Sequence, residues 1–256
     1  MKVVILCGGF GTRIRDVSDE IPKPMIPIGP YPILVHIMKH YSYYGFKEFI
    51  LCLGYKSESI KDFFLNYKSR VNNFTLSFNK TSEINYHSNF HDDEWKISLI
   101  DTGLHNMTGS RISQISELVD DDFMLTYGDA VSDINLSELN KFHQNHNKIV
   151  TVTGVRPPGR FGELQIEGNL VKSFNEKPQV SSGRVSGGYF VAKKKIFEYL
   201  DNDPDLVFET KPLNEIVKDN QLMMFKHDGF WQPMDTSRDH KLLNDMYLNN
   251  NVIWKL

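Results

Sequence analysis

Apolar residues recur along this chain in two alternating rhythms. Residues 2–7 carry an unbroken apolar run after Lys2 (Val3, Val4, Ile5, Leu6, Cys7), the pattern of a strand covered on both faces. Residues 31–45 then place Ile33, Leu34, Ile37, Met38 and Tyr41 at helical spacing, with Pro32 in the first turn and Gly45 closing the segment. Residues 48–55 return to the strand pattern. Residues 57–67 return to the helical one through Ile60, Phe63, Phe64 and Tyr67. Strand, helix, strand, helix at this spacing predicts a parallel sheet with right-handed crossovers.

The rhythm weakens over 72–94, a polar stretch that reads as a small hairpin or excursion. Further on, strands are expected at 96–100, 123–127, 149–155, 185–192 and 222–226. A hairpin turns on Glu167-Gly168-Asn169, with strands at 164–166 and 171–174. Helices are expected at 111–119, 136–146, 194–200 and 213–217. A terminal helix at 239–248 should turn Leu242, Leu243 and Met246 inward. No internal repeat or low-complexity linker interrupts the pattern. The reading is one α/β domain with a mixed sheet and inserted hairpins.

Composition narrows the classes of function. With 256 residues, 40% hydrophobic and 24% charged, the chain is an ordinary globular sequence able to bury roughly 70–75% of its unfolded surface. Its 29 basic and 32 acidic residues give a net charge of −3, which excludes a broad electropositive field for nucleic acid. Lys193-Lys194-Lys195 reads as the start of a solvent-facing helix. Cys7 and Cys52 both sit inside apolar runs and are expected as buried free thiols. No apolar stretch reaches 18 residues, so no membrane span is expected. The first apolar run is too short for a signal-peptide core, and the expected location is cytoplasmic. His87 and His91 have a helical metal spacing but no third ligand, and read as a solvated loop pair.

Candidate chemistry starts directly after the first strand, at Gly8-Gly9-Phe10-Gly11-Thr12-Arg13. Glycines there let the backbone turn sharply and bring N–H groups against an anion, and Arg13 adds a bidentate donor. No Gly-Lys-Ser/Thr follows, so this is not a P-loop. Ile14 occupies the third glycine position of a dinucleotide fingerprint, so it is not that either. Ten residues past Arg13 stands Lys23, between Pro22 and Pro24, which hold an extended backbone and fix where the lysine points. A second phosphate clamp is the reading. Asp129 ends a buried strand and Asp235 follows an aromatic-rich one; both suit a hard cation. For Asp235 the alternative is an N-cap of the last helix.

These residues resemble the opening signature of the sugar-nucleotide pyrophosphorylases, a nucleotidyltransferase family with a G-G-x-G-T-R loop followed by a Lys-Pro pair. Further segments extend the resemblance over the whole chain and towards the branch that transfers cytidylyl groups to glucose 1-phosphate. They are Asp101-Thr102-Gly103, Met107-Thr108-Gly109-Ser110-Arg111, Thr126-Tyr127-Gly128-Asp129, Pro157-Pro158-Gly159-Arg160-Phe161-Gly162, Glu176-Lys177-Pro178 and Phe230-Trp231-Gln232-Pro233-Met234-Asp235-Thr236.

The resemblance implies a Rossmann-like, GT-A-like α/β fold with a mostly parallel mixed sheet. Residues 1–155 would form mainly the nucleotide half and 156–256 mainly the sugar-phosphate half. It implies catalytic roles for Arg13, Lys23 and Asp129, with Mg²⁺ on Asp129 and Asp235. CTP would be held by Leu6, Gly8, Gly9, Gly11, Thr12, Arg13, Lys23, Asn106, Arg111 and Gly128. The sugar phosphate would be held by Gly162, Glu176, Lys177, Gly187 and Gly188, although Glu176-Lys177 can also be read as a solvated hairpin tip. Arg111 is expected beside the base, the alternative being a pair with Glu117 or Asp120. A homo-oligomer, such as a hexamer, is implied as well. Three positions depart from the usual pattern: Cys7 for Ala, Ala130 for Gly and Ser186 for Asn.

Overall fold

The first apolar run forms β1 (Val3–Leu6), all of it buried. Its residues alternate between two cores, Val3 and Ile5 on one side of the sheet and Val4 and Leu6 on the other. This explains why the run has no polar positions. The computed structural model describes residues 1–14, 20–78, 83–87, 94–157, 163–167, 170–175 and 183–255; at 13, 163–166 and 173–175 only the backbone is described.

After β1 come β2 (Pro27–Ile28), β3 (Tyr31–Pro32), α1 (Ile33–Tyr43), β4 (Glu48–Leu53), α2 (Ser57–Leu65) and α3 (Tyr67–Val71). The polar excursion forms the hairpin β5 (Phe74–Ser77) and β6 (Glu83–Tyr86). The middle of the chain gives β7 (Lys96–Asp101), α4 (Thr108–Ser113), β8 (Asp122–Tyr127), β9 (Ala130–Ser132), α5 (Leu136–Gln144) and β10 (Val150–Val155). Then follow β11 (Glu163–Glu167), β12 (Leu170–Asn175), β13 (Val185–Lys193), α6 (Lys211–Lys218), β14 (Leu222–His227), β15 (Trp231–Pro233) and α7 (Ser237–Leu248).

The main sheet has seven strands in the order β14-β10-β13-β8-β1-β4-β7. β1 is parallel to both β4 and β8, and β13 alone runs against its neighbours β8 and β10. The chain winds outward from β1 through β4 to β7 and then returns to the other side of β1 at β8. That reversal opens a crevice beyond the carboxyl ends of β1 and β8, where ligands gather in open α/β sheets.

Three local expectations need correction, and one strand was not expected at all. The helix expected at 111–119 is α4, which begins at Thr108 and ends at Ser113. Beyond it the chain tightens into turns, with Ile115 N donating to Ile112 O and Leu118 N to Ile115 O. These turns still bury Ile115 and Val119. The segment at Lys194–Tyr199 is a 3₁₀ helix. In α7, Leu243 is buried and Met246 packs inward as expected, but Leu242 is exposed and Tyr247 packs inward in its place. Finally, β9 pairs with β15 in a short antiparallel ribbon, and β9 carries no pattern long enough to announce itself.

Candidate active site

The glycine loop leaves β1 at the crevice, and its backbone is held by packing that only glycine permits. A Cβ on Gly8 would lie 2.3 Å from the Arg111 guanidinium carbon. Gly11 has φ +60°, a left-handed conformation that side chains disfavour. The loop lines a cavity of about 270 Å³. Its walls include Leu6, Gly8, Gly9, Gly11, Thr12, Lys23, Asn106, Arg111, Gly128 and Asp129. The structure therefore brings together nearly all the residues read as nucleotide contacts. Arg13 lies in the turn Thr12–Ile14, but its side chain is outside the described residues.

Only Pro22 keeps the extended backbone expected around Lys23; Lys23 itself opens a 3₁₀ turn, Lys23–Met25, with Pro24 buried. Its Nζ donates to Asp129 Oδ2 and to Asp235 Oδ1, each at 2.6 Å. Burial by itself would lower the pKa of this ammonium. The Asp129 and Asp235 carboxylates outweigh it and hold the pKa above its ordinary value.

Two features of the fold make this meeting. In the β9–β15 ribbon Ala130 stands opposite Pro233, and Met234 N donates to Asp129 O at 2.8 Å, so the two aspartates leave adjacent strand ends. The N-cap of α7 is Thr236, which forms a capping box with Asp239. Asp235 is thus not the cap, and its carboxylate is directed to Lys23 instead. Among the described residues no group of three or more His, Cys, Asp or Glu converges. A cation here would take two carboxylates and complete its shell with water and phosphate oxygens. That donor set fits a hard divalent ion.

Arg111 borders the cavity, but both of its terminal nitrogens are already engaged. Nη1 donates to Leu53 O, Thr102 Oγ1 and Gly103 O at 2.7–2.8 Å, and Nη2 to Gly8 O at 3.1 Å. The guanidinium is wedged between Gly8 and Gly54, where a Cβ on either would come within 2.5 Å of it. It ties the strand ends of β1, β4 and β7 together. Neither terminal nitrogen is left over for a base, and Arg111 makes no ion pair with Glu117 or Asp120. Asn106 likewise turns back, donating to Thr102 O at 2.7 Å.

On the other side, Gly188 has φ +77° and a Cβ there would lie 2.6 Å from the Tyr127 ring. Trp231 Nε1 donates to Gly187 O at 2.8 Å, linking the paired glycines to the ribbon. Tyr127 also lines the cavity, and its hydroxyl donates to Glu209, which accepts from Thr108 Oγ1 as well. Sequence reasoning missed Glu209. It belongs to no motif, and only its contacts reveal it. Gly162, Glu176 and Lys177 lie outside the described residues, as does His91. Both cysteines are buried and free, with pKa values raised by burial, for Cys52 to about 12.

A family model described as nucleotidyl transferase matches residues 2–239. The chain belongs to that family. The nucleotidyl transferase chain is 43% identical over 257 residues to "Probable glucose-1-phosphate cytidylyltransferase" of Bacillus subtilis (strain 168), covering 100% of both. It is 42% identical to the glucose-1-phosphate cytidylyltransferase of Salmonella typhi, over 100% of this chain and 99% of that one. Among solved structures, HddC from Yersinia pseudotuberculosis superposes with a TM-score of 0.68 at 24% identity, covering 96% and 99% of the two chains. That likeness establishes the Rossmann-like nucleotidyltransferase fold. The protein is an enzyme of this family, and the family uses a divalent metal. No helix among the described residues is long and apolar enough to cross a membrane.

Proposed function

We propose that the protein transfers a cytidylyl group from CTP to α-D-glucose 1-phosphate, giving CDP-glucose and pyrophosphate. The observation that carries this reading is the meeting of the glycine loop, Lys23, Asp129 and Asp235 at one cavity, in a chain 42–43% identical to glucose-1-phosphate cytidylyltransferases along its whole length. A sugar phosphate oxygen attacks the α-phosphorus in line, and pyrophosphate leaves from the opposite side. The attacking group is already ionised, so no protein nucleophile or general base is required. Catalysis is positioning plus neutralisation of charge.

In this reading the glycine-loop amides, Arg13 and Lys23 hold the triphosphate. Asp129 and Asp235 hold Mg²⁺, which when bound neutralises charge on the phosphate oxygens. Arg111 serves the base pocket by fixing the Gly8 and Gly103 carbonyls. Residues 1–155 supply mainly the nucleotide half. Residues 156–256 supply mainly the sugar half, in which Glu176 meets sugar hydroxyls, Lys177 the sugar phosphate, and Gly162, Gly187 and Gly188 let the sugar approach backbone. The same reading carries a homo-oligomer, a hexamer among its forms, which light scattering would test.

The deciding experiment pairs four nucleoside triphosphates with several sugar 1-phosphates and reads pyrophosphate release. CTP with glucose 1-phosphate should give the highest kcat/KM. A higher value for UTP, or for another sugar, would move the assignment within the family.

A further inference from the structure

Lys23 stands in the wall of the cavity, and its charge is already taken up by two carboxylates. Its Nζ is 2.6 Å from an oxygen of each aspartate, and its side chain is only 10% exposed. The stem is held as well: Lys23 Cβ would sit 3.1 Å from a Cβ on Gly11, a spacing that the absent side chain makes possible. Asp129 and Asp235 are themselves only 32% and 17% exposed. The point nearest both acceptor oxygens is taken by nitrogen. A divalent ion bound by those oxygens at about 2.1 Å would place two more positive charges against the ammonium. Like charges that close, away from bulk water, repel strongly.

We propose that Lys23 is an internal competitor for the divalent cation, so that the metal enters together with the nucleotide and not ahead of it. A triphosphate brings several negative charges to the same cavity and gives the ammonium a second set of oxygens. Once Lys23 has moved to the phosphates, its ammonium no longer occupies the space between the two carboxylates. One side chain thereby couples two ligands and sets the order in which they bind. This rests on the proposed function for the identity of those ligands and adds the order.

The test counts metal binding with no nucleotide present. Mn²⁺ alone is titrated into the full-length protein, and free ion is read by electron paramagnetic resonance. Lys23→Met should bind Mn²⁺ at least tenfold more tightly than the unmodified protein, whereas Lys23→Arg, which keeps the charge, should bind it as weakly as the unmodified protein. Lys23→Gln keeps a neutral donor to both carboxylates and should show a gain of the same sign, which supplies the comparison if the methionine variant does not fold. Adding Asp129→Asn to either neutral variant should abolish the gain. Equal Mn²⁺ affinity in the unmodified and neutral variants overturns the proposal, and so does a gain that survives Asp129→Asn. No CTP or sugar phosphate enters this titration. Its failure leaves the substrate assignment standing, and a different nucleotide preference leaves the competition standing.

Discussion

Two regions of this molecule bury nitrogen-bearing side chains, and they do so by opposite means. At the carboxyl ends of the strands, Lys23 and Arg111 are buried as cations. Lys23 needs two carboxylates, and Arg111 needs carbonyls from three strand ends. Behind the sheet, His36 and His40 on α1 are buried as neutral rings. Trp254 Nε1 donates to His36 Nδ1 at 3.1 Å, which assigns the proton to Nε2, and Nε2 donates to Ile28 O at 2.8 Å. His40 repeats the arrangement, accepting from Lys255 N and donating to Ile134 O. Burial pulls both histidines down to a pKa of about 4. A buried ion demands charge or a dense set of dipoles, and ligands can compete for those partners. A buried neutral ring demands only two directed hydrogen bonds, and nothing competes until a proton arrives. The first region is built to exchange partners and the second to hold the chain end.

The largest effect that could break this contrast is at Arg111. Arg111→Ala leaves several buried acceptors unpaired and should cost on the order of 4 kcal/mol of stability, read by urea denaturation. It should also weaken CTP use. Arg111→Lys should restore little, because an ammonium cannot fan out to carbonyls on three strand ends. Near-native stability in Arg111→Ala would show that water replaces the guanidinium, and the strand ends would then need another clasp.

Acid should act on the other region. Below about pH 6.5 the unfolded chain takes up protons that the folded histidines refuse, so stability falls as pH drops from there towards 4. Each of His36 and His40 contributes about 3 kcal/mol to that loss by pH 4. Urea midpoints measured across this window should fall less steeply in His40→Gln than in the parent. An unchanged slope would mean that His40 takes up its proton as readily in the fold as in the unfolded chain.

Within the charged region, Asp129→Asn and Asp235→Asn should each lower turnover at least tenfold while the protein stays folded, since charge compensation by a bound metal is worth several kcal/mol. Steady-state rates at limiting Mg²⁺ are the measurement. Full activity in Asp235→Asn would reduce that residue to a partner of Lys23. The smallest effect belongs to Thr236→Ala, which removes one half of the capping box and should cost ~1 kcal/mol in thermal stability. A loss of turnover larger than that stability change would show that the cap also aims Asp235.

Much of this was legible in the residues. β1, α1 and β4 announced themselves because an unbroken apolar run and a helical stripe are local signals. The glycine loop did so because positive φ and close packing leave few other residues possible. Other features had no such signal. Leu242 fits the apolar stripe of α7 as well as Leu243 does, yet faces solvent, because only the position of α7 against β2 decides which part of the stripe is covered. β9 is three residues long and gains its identity from β15, far along the chain. Glu209 was invisible because a lone exposed carboxylate carries no pattern.

By itself, then, the sequence determined the alternation of strands and helices, the phosphate-binding loop and the presence of Lys23 and two aspartates at strand ends. Each is set by periodicity, glycine and proline geometry or residue chemistry within a few positions. Only the tertiary structure decided that Lys23 and Asp235, 212 residues apart, share an ion pair, that Thr236 and not Asp235 takes the cap, and that Arg111 clasps strand ends. Charge and hydrogen-bond partners are chosen by long-range strand pairing, because the energy of a buried ion depends on every dipole within a few ångströms and on none of its neighbours in sequence as such.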